Sequence, residues 1–284
     1  MSQRHQPACS YAACLILAAA FTGTAHPLAS SSPPAQGRSL GNGAEVRWHG
    51  AVARGRTIEI KGVNGDVRTV AGMGADVEVV ATKTSRRSDL ESVSIDVVEH
   101  EDGVTLCAMY PDSDREPNVC APGSKGHMNT NNNDVNVSFT VSVPAGVKFV
   151  GRTVNGDVSG EGLKADSEAY TVNGSIRLST TGAAQAETVN GSIAASLGDA
   201  NWSDNLEFRT VNGGITLDLP ASVSATLRAE TVNGQIDSDF PMTITGRFSP
   251  RRVRGTIGTA VNGVVTHELD VSTVNGTIRL RKGQ

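Results

Sequence analysis

The chain has 284 residues, 38% hydrophobic and 19% charged, with a net charge of −4. That mild acidity gives no general attraction to nucleic acid or to an anionic membrane. Only 4% of the residues are aromatic, which leaves little material for the stacking platforms that many sugar- and base-binding sites use.

Residues 1–25 read as an export signal. Arg4 supplies a positive start, Ala12 to Phe21 an apolar stretch, and Gly23-Thr24-Ala25 the small residues ahead of a cleavage site. A bilayer span takes about 20 apolar residues, so a membrane anchor is not expected here. Cys14 opens the apolar stretch instead of following it, which argues against a lipoprotein signal. Residues 26–44 are rich in Ser, Pro and Gly and are expected to form a disordered spacer. A single β-repeat domain is then expected over residues 45–282. The expected destination is the periplasm, the cell surface or the medium. The final segment, Leu280-Arg281-Lys282-Gly283-Gln284, offers no apolar tail, so no carboxy-terminal anchor is expected.

From 45 to 149 the chain alternates apolar and polar residues. Ile58/Ile60, Val77/Val79, Val93/Ile95/Val97 and Val104/Leu106 read as half-buried strands, and Val135, Val137, Phe139, Val141 and Val143 alternate without a break until Pro144-Ala145-Gly146. Two cysteines remain after the signal. Cys107 and Cys120 flank a loop rich in proline and charge, and an exported chain meets oxidising conditions, so a Cys107–Cys120 disulfide is expected. Zinc is disfavoured, because there is no CxxC pair and only His127 lies nearby. The asparagine run from Asn129 to Asn133 reads as loop.

Residues 150–282 form the regular array. Across the whole chain Val-Asn-Gly, followed two positions later by Val or Ile, occurs eight times, at Asn64, Asn155, Asn173, Asn190, Asn212, Asn233, Asn262 and Asn275. From Asn155 the spacings are 18, 17, 22, 21, 29 and 13 residues, the signature of a stacked repeat. Asn-Gly also suits a type I′ hairpin. A hairpin, however, would set each Val beside the mostly polar residue after Gly, including Asp66, Asp157, Ser175 and Gln235. In an extended path Val and the later aliphatic residue are four apart and share a side. That reading gives a core of Val154/Val158, Val172/Ile176, Val189/Ile193, Val211/Ile215, Val232/Ile236 and Val274/Ile278. The fold class expected is therefore all-β, a β-solenoid or β-helix-like stack behind a strand-rich amino-terminal part. Glycine in each repeat marks a bend or a place where adjacent coils leave no room for a Cβ.

Gly151-Arg152-Thr153-Val154-Asn155-Gly156-Asp157-Val158 after Val143-Pro144-Ala145-Gly146-Val147, the recurring Thr-Val-Asn-Gly units, and Arg254-Gly255-Thr256-Ile257-Gly258 resemble a bacterial exported family over residues 45–282. Its members are labelled putative adhesins and are built on a domain of unknown function. The resemblance implies a β-solenoid-like domain at the cell envelope and brings no catalytic residues.

The sequence contains no GxSxG, HExxH, strand-linked GxGxxG or Walker loop, and no catalytic, cofactor or metal residue is assigned. Asp66 and Asp157 follow Asn-Gly, but the other six copies lack an acid there, which disfavours a calcium ladder. Glu168, Glu187 and Glu230 precede repeats and fit a solubilising face better than acid–base work. Two features suit binding. One is the row of Thr153, Thr171, Thr188, Thr210, Thr231 and Thr273 with its asparagines, expected to stack as hydroxyl and amide ladders. The other is the loop with Arg247, Arg251, Arg252 and Arg254, whose guanidinium forks suit phosphate, sulfate or carboxylate unless Asp237 and Asp239 neutralise them. The functional expectation is a non-catalytic envelope module that adheres or scaffolds, partnered by envelope polysaccharide or another envelope protein. A polysaccharide-active enzyme and an envelope-stress sensor are the alternatives.

Overall fold

The computed structural model describes residues 37–112, 117–130, 132–202, 205–246, 249–258 and 267–283. The export signal, the Asn262 repeat and Arg247 lie outside the described residues. Two sheets, of twelve and ten strands among the described residues, face each other across one apolar core. In the array each coil gives one strand to each sheet. Lys148–Arg152, Ser167–Tyr170, Ala184–Glu187 and Leu206–Arg209 lie in the larger sheet. Val158–Leu163, Ile176–Thr180, Ile193–Leu197 and Ile215–Leu219 lie in the smaller. Neighbouring coils pair in parallel. This is a solenoid, so the stacked-repeat expectation holds and the tandem hairpin does not.

In the seven described repeats the aliphatic residue after Asn-Gly opens a strand of the smaller sheet. In register, Val67, Val158, Ile176, Ile193, Ile215, Ile278 and Ile236 form one ladder. All but Ile236, which is half-buried on the edge strand, are excluded from water. Each fully buried aliphatic side chain contributes about 1.5–3 kcal/mol before entropy.

The other half of the expected core pair is overturned. Val172, Val189, Val211, Val232 and Val274 are 36–51% exposed, and Val154 is only partly buried. Even parity assumes a straight strand, whereas here the chain turns a corner between the two sheets at Asn-Gly and the count restarts. The threonine before each Val takes the inward place. Thr153, Thr171, Thr188, Thr210, Thr231 and Thr273 are buried.

The amino-terminal part caps one end of the stack. Thr57–Lys61 and Val67–Ala71 continue the parallel ladders as an early coil. Antiparallel strands then close each sheet, Ser94–His100 on Gly103–Met109 in the larger and Glu45–Gly50 on Val77–Thr84 in the smaller. Arg38–Gly41, placed by composition in the disordered spacer, pairs with Ser94–His100 as an edge strand. Its backbone groups find ladder partners that outweigh its polar composition.

At the far end the chain leaves sequence order. The coil of Glu268–Asn275 and Ile278–Lys282 is inserted between the Leu206–Arg209/Ile215–Leu219 coil and the earlier-made Ala225–Asn233/Ile236–Ser238 coil. An antiparallel pair, Arg252–Ile257 and Met242–Ile244, extends the larger sheet beyond Ala225–Asn233 and forms its edge.

Candidate functional site

The corner between the sheets repeats one set of hydrogen bonds. Each buried threonine hydroxyl donates to a glycine carbonyl of the adjacent coil, Thr171 to Gly156 at 2.8 Å and Thr188 to Gly174 at 2.9 Å, with Thr153, Thr210, Thr231 and Thr273 alike. The threonines thus bond to backbone and not to one another. A Cβ on Gly174 would stand 1.9 Å from the carbonyl oxygen of Gly156, and on Gly191 1.9 Å from that of Gly174. Coil approach, and no left-handed φ, demands glycine at these two positions.

The asparagines do form a ladder. Seven side-chain amides run unbroken from Asn64 through Asn155, Asn173, Asn190, Asn212 and Asn275 to Asn233, linked by six bonds in which each Nδ2 after Asn64 donates to the preceding Oδ1 at 2.7–2.9 Å. They are on the outside. Each amide in the run retains a second N–H and a second carbonyl lone pair, and beside Asn173, Asn190, Asn212, Asn275 and Asn233 stands a half-exposed valine. Asp66 and Asp157 accept from the backbone N–H of Asp157 and Ser175 in the next coil, at 2.9 and 2.8 Å. They work as local hydrogen-bond acceptors.

The strands of the larger sheet carry an outward polar stripe. Beneath the disulfide loop this stripe is buried. Cys107 and Cys120 are bonded, with Cα atoms 5.8 Å apart, and the segment just after the bridge, at Ala121 and Gly123, lies over Glu59 and Lys61. Glu59 accepts from Arg152 Nε at 2.9 Å, Thr105 Oγ1 at 3.0 Å and the Gly123 N–H at 3.0 Å. Lys61 Nζ donates to the carbonyls of Ala121 and Gly123. Burial pulls the Lys61 ammonium below its ordinary range, opposed by Glu59 and reinforced by Arg152. The Arg152 guanidinium lies 3.9 Å from the centre of the Tyr170 ring. Burial pushes the Tyr170 hydroxyl up, and its bonded neighbour Glu168 adds to the shift. All these groups are satisfied, so they hold the loop down and present no open site. Glu59, Lys61 and Arg152 were not singled out from sequence, because an alternating strand shows its outward residues as ordinary solvent-facing polars.

Glu168, Glu187 and Glu230 do not converge. Glu168 accepts from Tyr170 Oη at 2.9 Å, Glu230 is bound by Arg252, and Glu187 stands exposed on its own strand. Among the described residues no group of three His, Cys, Asp or Glu side chains is placed to hold a metal.

The arginine loop is divided. Arg251 is exposed at the turn, while Arg252 and Arg254 lie on the outer face of strand Arg252–Ile257. Arg252 forms an ion pair with Glu230, not with the expected Asp237, which pairs with Arg279 at 3.7 Å, or Asp239. The hydrogen bond from Arg252 holds the Glu230 carboxyl below the usual range. Across the ladder Arg254 faces Arg228, a residue whose distance in sequence hid it.

No curated protein matches the chain. Among solved structures, a putative cell adhesion protein from Clostridium sporogenes has 12% identity and a TM-score of 0.43, covering 84% of this chain and 99% of its own. A putative adhesin from Bacteroides fragilis has 13% identity and a TM-score of 0.30, covering 83% of this chain and 96% of its own. The family described as Toastrack DUF4097 matches residues 56–281, and the chain belongs to it.

Proposed function

We propose that this protein is an exported, non-catalytic module of the cell envelope that binds linear envelope polysaccharide along its Asn-Gly corner and so adheres or scaffolds. The observation that carries this reading is the exposed amide ladder with its parallel row of half-exposed valines. Seven amides at the coil spacing, about 4.7–4.9 Å, offer a periodic set of donors and acceptors beside a narrow apolar rail. Such a surface is complementary to an extended repeating polymer, whose hydroxyls and apolar ring faces recur along its length. The corner is already ordered by the fold, so binding costs little protein entropy.

The test is retention on isolated cell-wall polysaccharide by the parent and by the triple variant Val172→Lys, Val189→Lys, Val211→Lys. These side chains are partly exposed, so the melting temperature should stay within a few degrees, about the range of ordinary surface changes. Retention should fall at least about tenfold, the equivalent of 1.4 kcal/mol, and the parent's binding should resist added salt, since the rail carries no charge. Undiminished retention in the variant overturns the assignment to this edge. Release of soluble sugar fragments by the parent overturns the non-catalytic reading.

A further inference from the structure

On the outer face of the larger sheet, at the end remote from the disulfide, strands Ala225–Asn233, Arg252–Ile257 and Glu268–Asn275 bring Arg228, Arg254 and Asp270 into one cross-strand row. Arg228 lies directly opposite Arg254 in the antiparallel pair, and Asp270 lies opposite Arg228 on its other side. The adjacent row holds Arg252, Glu230, Ser272 and Arg209. Together they line a shallow hollow of about 240 Å³.

Within this hollow the flanking arginines are engaged. Arg252 pairs with Glu230, and Arg209 pairs with Glu207 and reaches Ser272 Oγ at 3.4 Å. Among the described residues, Arg228 and Arg254 make no ion pair within 4.0 Å. Like charges directly opposite in a sheet are destabilising; Glu230 and Asp270 offset this pair through their fields and not by direct ion pairs. Two guanidinium groups aimed outward from facing positions can donate four N–H groups to one tetrahedral oxyanion.

We propose that Arg228 and Arg254 form a binding site for a phosphate group carried by an anionic envelope component, with Arg209 and Arg252 raising the local positive potential. This site is separate from the Asn-Gly corner and does not depend on it. Asp270 opposes the anion, since its carboxylate is the negative group nearest Arg228 in the row. Burial and the neighbouring Glu207 push the Asp270 carboxyl up, while Arg209 and Arg228 pull the other way.

The experiment measures binding of three probes to the whole chain by calorimetry: inorganic phosphate, polyphosphate, and vesicles of phosphatidylglycerol in phosphatidylcholine. Polyphosphate should bind most tightly among the soluble probes, because its closely spaced groups engage the flanking arginines as well. Its binding should weaken as salt screens the exposed contacts over about 8 Å near physiological strength. Arg228→Gln with Arg254→Gln should cost about tenfold or more, with an unchanged or raised melting temperature because a like-charge pair is removed. Arg228→Lys with Arg254→Lys should lose an intermediate amount, since charge stays and the fork is lost. Asp270→Asn should tighten binding severalfold. Arg177→Gln, on an exposed position of the smaller sheet, is the control and should change nothing. Vesicle binding with the same arginine dependence places the phosphate on a lipid, and polyphosphate binding alone places it on a soluble polymer; either supports the site. Absence of binding to all three probes, or equal loss in the Arg177 control, overturns it. A salt-insensitive interaction with cell-wall polysaccharide that survives the arginine changes concerns the corner and leaves this result to stand or fall alone.

Discussion

The glycine of each repeat is the residue on which coil spacing depends. For Gly174→Ala the new Cβ meets backbone, and neither the Gly156 carbonyl nor the coil behind it has freedom to retreat. We expect a loss of about 1–3 kcal/mol or more, measured by urea denaturation. A stability within error of the parent would mean that the coils can separate at little cost. The neighbouring threonine shows the limit of reading this unit from sequence. The aliphatic residue after Asn-Gly was legible as core, because it begins a strand and its alternation with polar residues is ordinary. Burial of Thr188 and exposure of Val189 were not. They follow from the corner, where a hydroxyl can satisfy the Gly174 carbonyl and a valine methyl cannot. No parity rule carries through such a change of direction.

Among the elements, the disulfide loop and the strand beneath it act as one unit. The expectation of the Cys107–Cys120 bond came from compartment and loop composition, both of which are visible in sequence. What the segment after the bridge lies on is not visible in sequence, since Glu59 and Lys61 alternate with Ile58 and Ile60 like any polar face. Glu59→Gln removes the carboxylate that faces Arg152 Nε at 2.9 Å and Lys61 Nζ at 3.9 Å. Two cations would then share a covered site without a counter-charge. Breaking such a pair costs about 3–5 kcal/mol, and a calorimetric melting curve should register it. Destabilisation below about 1 kcal/mol would show that water reaches Lys61 under the loop. The arginine loop is the converse case. Its charges were legible, but its partners Arg228, Asp270 and Glu230 come from two other strands whose adjacency only the folded sheet reveals.

For the whole molecule, the repeat makes stability a sum over neighbouring coils, and the ends need separate solutions. Antiparallel strands cap one end, and the pair Met242–Ile244 and Arg252–Ile257 forms the edge of the larger sheet at the other. Fold class and repeat boundaries could be read from the Val-Asn-Gly spacing, because each unit buries the same positions. Coil order could not. Every coil presents the same amide, glycine carbonyl and aliphatic edge, so the sequence has no local mark saying that Asn212 meets Asn275 and not Asn233.

That interchangeability has a temporal consequence. A ribosome makes residues 225–238 before residues 268–282, and the open edge left by Ile215–Leu219 is a fair match for either. We expect the earlier segment to lodge provisionally where the later one belongs and to be displaced when the last coil docks. Pulsed hydrogen exchange during refolding should record protection of the 225–238 amides arising, lapsing and returning as 268–282 docks. A single simultaneous rise in protection across both segments would show that the place is held vacant until its proper occupant arrives.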